Sequence, residues 1–220
     1  MTAQRSSSSP TAATRACPIA SACTRIVAAA RRQFTSLGYS RTTMADLAGE
    51  LGMSKKTLYA HFPGKEAIVS AIMEAKIQEV RTGMHALAED TTIPVMDRAH
   101  RMMAFIVRQM GEISPAFLRD LERHHPALYA RMETVRAEIL PHVWGKLLSD
   151  GAAEGLIRRE FDAAFVSEMM LATARNLLRP DSLERLQLEP REVIDQMLTI
   201  LFNGILTPAG RKAYENGPSR

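Results

Sequence analysis

Residues 54–62 carry side chains suited to binding a polyanion on one side and apolar side chains on the other. Leu58 and Phe62 are four positions apart, which places them on the same face of a helix. The opposite face carries ammonium, hydroxyl and imidazole groups that can donate hydrogen bonds to phosphate oxygens or base edges. These groups belong to Lys55, Lys56, Thr57, Tyr59 and His61. The pattern predicts a short helix with an exposed nucleic-acid-binding face.

A preceding helix is placed to support this segment. Thr43 has the hydroxyl that a helix N-cap needs, Gly52 can end the helix, and Ser54 can cap the next one. The apolar side chains between them recur at three- and four-residue spacing, at Met44, Leu47, Ala48 and Leu51. Two helices joined by a short glycine turn are typical of the helix-turn-helix, whose second helix enters the DNA major groove. The residues predicted to reach base edges are Lys55, Lys56 and Thr57.

At these positions the chain resembles the tetracycline-repressor (TetR) family of bacterial transcription regulators. The matching residues are Thr42, Thr43, Met44, Leu47, Ala48, residues 52–55, Thr57, Leu58, Tyr59, His61, Phe62, Gly64, Lys65 and Glu66. The resemblance implies an N-terminal three-helix DNA-binding domain and a C-terminal helical domain that binds a ligand and dimerises. It also implies phosphate contacts from Thr43, Tyr59, His61 and Lys65. Lys56 and Ala60 differ from the residues that many relatives have at these positions. The detailed base contacts of the family are therefore not carried over to this chain.

The composition favours an all-α protein. Of the 220 residues, 46% are hydrophobic but only 5% aromatic, and alanine, leucine, methionine and arginine, which favour helix, are frequent. Residues 24–65 contain seven lysines and arginines against two acidic residues. This clustering of positive charge supports phosphate contact, although a solvated basic face would show the same pattern.

The chain divides into four predicted segments. Residues 1–20 are rich in serine, threonine, alanine and proline and are expected to form a disordered arm. Residues 21–66 form the helix-turn-helix domain, residues 67–208 the effector-binding and dimerisation domain, and residues 209–220 a flexible tail. Cys17 and Cys23 are expected to be unreactive thiols, because neither a second cysteine pair nor nearby histidines complete a metal set.

Glycine and proline predict the helix boundaries of the body. A long helix begins at Lys65, and Gly83 together with the polar run 89–92 before Pro94 is expected to mark its decay. Two further helices follow, over about 95–110 and, after Ser114, over about 115–122. A helix from Pro126 is expected to bend near Pro141, and two more are predicted over about 162–180 and 190–206.

The resemblance implies how the body works. In the family, the last two long helices pair with their symmetry mates, and a ligand among the other helices swings the helix that leads from the DNA-binding domain. The candidate effector-binding residues are Met102, Met103, Phe105, Met110, Phe117, Trp144, Met169 and Arg175. Each could also be ordinary core filling. The predicted function is a ligand-responsive repressor that binds a palindromic operator as a homodimer and is released by a small, largely apolar effector.

Other classes of protein compete with this prediction. An architectural or nucleoid-associated DNA-binding dimer without an inducer would carry the same DNA-binding domain. An enzyme is disfavoured because no nucleophile elbow, phosphate loop or His-Glu metal motif occurs. No metal site and no cofactor are expected, because the histidines do not follow a metal-ligand spacing. No apolar run is long enough to span a membrane, so a cytoplasmic protein is predicted.

Overall fold

The computed structural model describes residues 20–216, which contain eleven helices and no strand beyond one isolated bridge between Ile157 and Leu206. The all-α fold class is confirmed. The helices are α1 (Ala20–Leu37), α2 (Met44–Glu50), α3 (Lys55–His61), α4 (Lys65–Glu89), α5 (Val95–Gly111), α6 (Pro115–His124), α7 (Pro126–Ala153), α8 (Ala163–Leu177), α9 (Pro180–Leu186), α10 (Pro190–Ile205) and α11 (Pro208–Glu215). The predicted arm, apart from Ala20, and Cys17 lie outside the described residues.

The predicted caps begin the helices of the structure. The Thr43 hydroxyl accepts a hydrogen bond from the Asp46 backbone N–H, and the Asp46 carboxylate accepts one from the Thr43 backbone N–H, which completes a capping box. Ser114 caps α6, with Pro115 at its first position, and Asp162 caps α8. Each cap satisfies backbone N–H groups that the first turn of a helix leaves unpaired. Local sequence therefore sets these boundaries.

Helices α1, α2 and α3 form a head around fully buried apolar side chains. Phe34 from α1, Leu47 from α2 and Leu58 from α3 are all inaccessible to solvent. Ile68, near the beginning of α4, is buried in the same cluster. Because α4 contributes to this core and also packs against α5 and α7, a single helix belongs to both the head and the body.

Helix α4 continues through Gly83 and ends at Glu89, the first residue of the polar run that is expected to mark its decay. A Cβ atom placed on Gly83 would lie 2.4 Å from Cζ of Phe105. The glycine therefore gives the Phe105 ring a place against α4, and its role is close helix packing. Helix α7 likewise continues through Pro141 as one element.

Two helices of the structure are absent from the sequence-based prediction. Pro180 is expected only to end α8, but it also begins the short helix α9. Residues 208–215 form α11 where a flexible tail is expected. Tyr214 of α11 stacks on His100 and Phe202, with ring centroids 3.9 Å and 5.3 Å away. These ring contacts hold the end of the described chain against α5 and α10.

In the part of the chain that the structure describes, no helix is long and apolar enough to cross a lipid bilayer.

Cys23 is disulfide-bonded, so the expectation of an unreactive free thiol is wrong at this position.

Candidate nucleic-acid interface and ligand cavity

Helix α3 is anchored by one buried side chain and otherwise presents polar groups to solvent. Leu58 is fully buried, whereas Lys55, Lys56 and Thr57 are exposed and Tyr59 is 50% exposed. The hydroxyl of Ser54 accepts a hydrogen bond from the Thr57 backbone N–H at 3.0 Å and fixes the first turn. The structure therefore brings four of the predicted DNA-binding residues together on an accessible surface.

Thr43 lies at the start of α2 and is exposed, but its hydroxyl already has a partner. Thr43 Oγ1 donates to Asp46 Oδ2 at 2.6 Å. This bond, together with the bond from the Thr43 backbone N–H, holds the pKa of Asp46 below its usual value. His61, half-buried at the end of α3, has its Nδ1 3.9 Å from Cys23 Sγ of α1. The phosphate contacts predicted for Thr43 and His61 stay predictions.

The Lys65 side chain holds the loop that precedes α2. Its Nζ donates to the carbonyl oxygens of Tyr39 and Thr42 at 2.7 Å and 2.9 Å. The same ammonium lies 4.1 Å from the centroid of the Tyr39 ring. Burial lowers the pKa of Lys65, and the charge of Asp120 opposes that shift. A phosphate contact through Nζ, as predicted, would compete with these bonds, whereas the N-terminus of α4 could contact a phosphate without breaking them.

The head is joined to the body by contacts with α6 and with the residue that follows it. The Asp120 carboxylate accepts hydrogen bonds from the Ser40 backbone N–H at 2.8 Å and from Ser40 Oγ at 3.0 Å. The Tyr39 ring meets the His125 ring edge-on, with centroids 4.6 Å apart. Burial lowers the pKa of His125, and Nε2 of that ring has no hydrogen-bond partner among the described residues. Burial therefore favours the neutral form of this imidazole at the contact between head and body.

A cavity of about 150 Å³ lies inside the body, walled by α4, α5, α7, α8 and α10. Its wall is almost entirely apolar. Among the described residues, the two charged exceptions are Lys76 of α4 and Arg136 of α7. Lys76 is only 7% exposed, and its Nζ donates to Glu112 Oε2 at 2.5 Å. Arg136 donates to Glu133 Oε1 at 2.5 Å. A concave apolar space with few polar groups is the usual form of a small-molecule site.

Half of the predicted effector residues line this cavity, namely Met102, Met103, Met110 and Trp144. The other four lie elsewhere. Phe105 packs on Gly83 of α4, and Phe117 is buried near α1. Met169 and Arg175 face outward from α8, and Met170, one position along, lines the cavity instead. One residue corresponds to about 100° of rotation around a helix. An error of one residue in the predicted phase of α8 therefore replaces a residue of the cavity wall by one on the protein surface.

The prediction from sequence does not include the two wall cations. Lys76 lies four positions after Ile72 and three after Met73, within the apolar stripe of α4. A lysine within such a stripe predicts a buried ammonium group with a polar or charged partner, because lysine is rarely buried without one.

The histidines do not form a metal site in the described part of the chain, where no three side chains of the metal-binding types come together. His85 instead stacks on His142, with centroids 4.3 Å apart, and His142 Nε2 lies 2.8 Å from Glu89 Oε1.

Comparison with known proteins gives a consistent result. Residues 26–72 match the tetR family of bacterial regulatory proteins. The chain is 28% identical to the uncharacterized HTH-type transcriptional regulator YvaF of Bacillus subtilis, over 82% of this chain and 94% of that protein. It is 24% identical to the HTH-type transcriptional repressor DhaR of a Mycobacterium species, over 79% and 86% of the two chains. The nucleoid occlusion factor SlmA of Shewanella frigidimarina is 25% identical over 76% and 85%.

Solved structures share the fold. SmeT, the repressor of the Stenotrophomonas maltophilia multidrug efflux pump SmeDEF, superposes with a TM-score of 0.59 at 16% identity, covering 86% of this chain and 92% of its own. A SmeT–triclosan complex superposes with a TM-score of 0.58 at 17% identity, covering 86% and 94%. Residues 26–72 thus match the DNA-binding domain of the TetR family, and most of the chain is similar in sequence to HTH-type transcription regulators and in fold to solved structures of regulators.

Proposed function

We propose that the protein is a cytoplasmic repressor that binds a palindromic operator as a homodimer and is released by a small, largely apolar effector. The observation that carries the proposal is the surface of α3, where Lys55, Lys56 and Thr57 are exposed beside the buried anchor Leu58. A helix held in this way can enter a major groove without exposing the core of the head. This geometry supports direct binding to DNA.

A dimer is supported by apolar side chains left exposed on the last two long helices. Phe165 of α8 is 65% exposed and Ile200 of α10 is 73% exposed, and Met169 lies one helical turn from Phe165. Helices α8 and α10 contact each other, and exposed large apolar groups on neighbouring helices are suited to an interaction site. Pairing of this face with a second copy would bury them and would present two copies of α3 to successive major grooves, about 34 Å apart.

Release by an effector is supported by the position of α4. The helix contributes Lys76, Ile77 and Met84 to the cavity wall and Ile68 to the core of the head. A ligand that fits the cavity better in one orientation of α4 would shift the population toward that orientation. Repression is the proposed direction because DhaR and SmeT are both described as repressors. In the SmeT–triclosan complex, a protein of this fold is found together with a small molecule.

The proposal is tested by selecting bound sequences from a pool of random duplexes, with a two-fold symmetric sequence as the expected result. Binding to the selected duplex is then measured against salt concentration. Replacing both Lys55 and Lys56 by alanine is expected to reduce the salt slope, because each subunit then loses two positive charges that displace counterions from the DNA. The control Lys212→Ala, at an exposed site on α11, is expected to keep the wild-type slope. Equal slopes for all three proteins would contradict the assignment of α3.

The similarity to SlmA favours one alternative, an architectural or nucleoid-associated dimer without an inducer. Genome-wide occupancy separates the two functions. A repressor occupies a small number of symmetric sites near promoters, whereas an architectural protein occupies many dispersed sites.

A further inference from the structure

The cavity wall and the head are connected by a cluster of charged and polar side chains, which we call the bridging cluster: Arg31, Lys76, Glu79, Gln109 and Glu112. Glu112 Oε2 accepts hydrogen bonds both from Lys76 Nζ at 2.5 Å and from the Arg31 guanidinium of α1. Gln109 accepts from Lys76 and donates to Glu79 Oε1 at 2.8 Å. The cluster therefore runs from the cavity, through α4 and the end of α5, to the first helix of the head.

Lys76 occupies the key position in this cluster. It lines the cavity, and it also lines a small crevice that it shares with Arg31, Phe34 and Glu112 between the head and the body. Among the described residues its ammonium pairs with one carboxylate, Glu112, and one neutral group, Gln109. Burial lowers the pKa of Lys76, and the contact with Glu112 offsets only part of that shift. The Glu112 carboxylate is shared between Lys76 and Arg31. The buried ammonium of Lys76 would therefore be stabilised by any further anion that reaches it.

The charged residues of the cavity wall indicate which sign of charge a ligand would carry. Both charged residues of the wall, Lys76 and Arg136, are cations, and no acidic side chain of the described residues lines the cavity. An apolar body buries its surface against the methionines and aliphatic side chains, and an anionic end pairs more strongly with a cation than with the neutral indole N–H of Trp144. Lys76 is the more deeply buried of the two, with 8% of its side chain exposed against 18% for Arg136.

We infer that the effector is an amphipathic molecule whose anionic group binds Lys76, weakens the bond from Lys76 to Glu112, and so loosens the connection between Glu112 and Arg31 of α1. The inference rests on the proposed effector cavity and specifies both its ligand class and its route to the head. The ligand has differential affinity for the two states because its anion and the Glu112 carboxylate compete for one ammonium.

The ligand class is tested with octanoate and n-octanol, which have the same chain and differ in charge. Binding is measured by calorimetry, and the emission of Trp144, the only tryptophan of the chain, reports occupancy of the cavity. Octanoate is expected to bind roughly tenfold more tightly than n-octanol, since a hydrogen bond to a charged group is worth more than a neutral one. Lys76→Met is expected to remove this preference, and the matched variant Arg136→Met to retain it.

The outcomes of this test are distinct. Binding of neither compound to the wild-type protein would contradict the effector cavity of the proposed function and the inference with it. Equal binding of the two compounds would contradict only the inference. A preference that survives in Lys76→Met, or that disappears in Arg136→Met and not in Lys76→Met, would also overturn it.

The route to the head is tested by amide hydrogen exchange of α1. Octanoate is expected to raise exchange several-fold in the wild-type protein. In Glu112→Gln, exchange is expected to be raised already, and octanoate should add nothing. Glu138→Gln removes a carboxylate that pairs with Arg81 of α4 outside the bridging cluster and serves as the control. It is expected to respond as the wild type does. An octanoate response in Glu112→Gln equal to that of the wild type would contradict the route.

Discussion

At the scale of single residues, the surface of α3 is predicted to separate groups that position the protein on DNA from groups that read sequence. Tyr59 is half-exposed on α3, and its hydroxyl is predicted to contact a phosphate. Tyr59→Phe keeps the ring and removes one hydrogen bond. We expect binding to every duplex to weaken by about threefold to tenfold. Thr57→Val, which keeps the shape and removes a hydroxyl near the start of the helix, is expected to change the order of preferred sequences.

These two variants are measured on the selected duplex and on a random duplex of the same length. The expected ratio of the two affinities is unchanged in Tyr59→Phe and altered in Thr57→Val. If the ratio changed in Tyr59→Phe and stayed constant in Thr57→Val, Tyr59 would be the residue that reads sequence and Thr57 the residue that contacts phosphate.

We expect His125 to make the stability of the protein depend on pH through the contact between head and body. Its folded-state pKa is lowered, chiefly by burial, with His124 and Lys65 acting in the same direction and Glu66 against it. The unfolded chain, with a pKa near 6.5, therefore binds the proton first. The contribution of a neutral His125 is complete above that value, and it is lost as pH falls toward the lowered folded-state pKa.

The measurement is the free energy of unfolding of the wild type and of His125→Gln between about pH 7 and about pH 5. We expect the wild type to lose more stability than the variant over this window. His85→Gln, at an exposed site, is expected to follow the wild-type profile. Parallel profiles for the wild type and His125→Gln would show that His125 contributes nothing to this pH dependence.

At the scale of elements, the helices that begin with a local signal could be predicted from the sequence. Ser114 with Pro115, Pro126 and Asp162 each begin a helix in the structure, because a cap or an N-terminal proline acts within one turn. Pro180 shows the ambiguity of the same residue type, since proline both ends one helix and begins another. Helix α11 escapes prediction because its stabilising contacts, from Tyr214 to His100 and Phe202, come from distant parts of the chain.

The cavity is harder to predict than the DNA-binding surface. Five of the seven residues proposed for DNA contact belong to α3, whose helical phase is fixed by Leu58, and the other two, Thr43 and Lys65, lie at the starts of α2 and α4. The cavity wall comes from five helices, and its composition depends on how each is rotated against the others. The sequence pattern therefore does not distinguish Met169 from Met170. The bridging cluster joins residues up to 81 positions apart, a separation at which no local pattern signals contact.

Helix α11 also supplies a sharp test of close packing. A Cβ atom on Gly210 would lie 1.9 Å from the Leu156 carbonyl oxygen, and backbone cannot move aside as a side chain can. We expect Gly210→Ala to lower the free energy of unfolding by about 1–3 kcal/mol and to raise hydrogen exchange in α11.

The matched control for this variant is Gly145→Ala. Gly145 is inside α7, and a Cβ atom placed on it would meet no neighbouring atom of the described residues within 4 Å. The substitution is expected to stabilise the protein by about 0.5–1 kcal/mol, the usual gain when alanine replaces glycine in a helix. Stabilisation by both variants would show that α11 does not need the close approach to Leu156.

At the scale of the whole molecule, the proposed binding to a palindromic operator requires two heads held at a fixed separation. The exposed face of α8 and α10 is the proposed means, and Ile200 is the most exposed large apolar residue in that face. Ile200→Glu places a charge where a partner would bury it, and the penalty for an unpaired buried charge disfavours association. Because Ile200 is 73% exposed in the single chain, the fold of each subunit is expected to remain intact.

We therefore expect Ile200→Glu to sediment as a monomer at concentrations at which the wild type is a dimer, with an unchanged helical circular dichroism spectrum. Leu37→Glu introduces the same charge at an exposed apolar site on α1, in the head, and is expected to remain dimeric. Loss of the dimer should reduce affinity for a two-fold symmetric duplex far more than affinity for half of it, because only the full site uses both heads. A dimer that persists in Ile200→Glu would exclude this residue from the interface, and equal losses on full and half sites would mean that the heads bind independently.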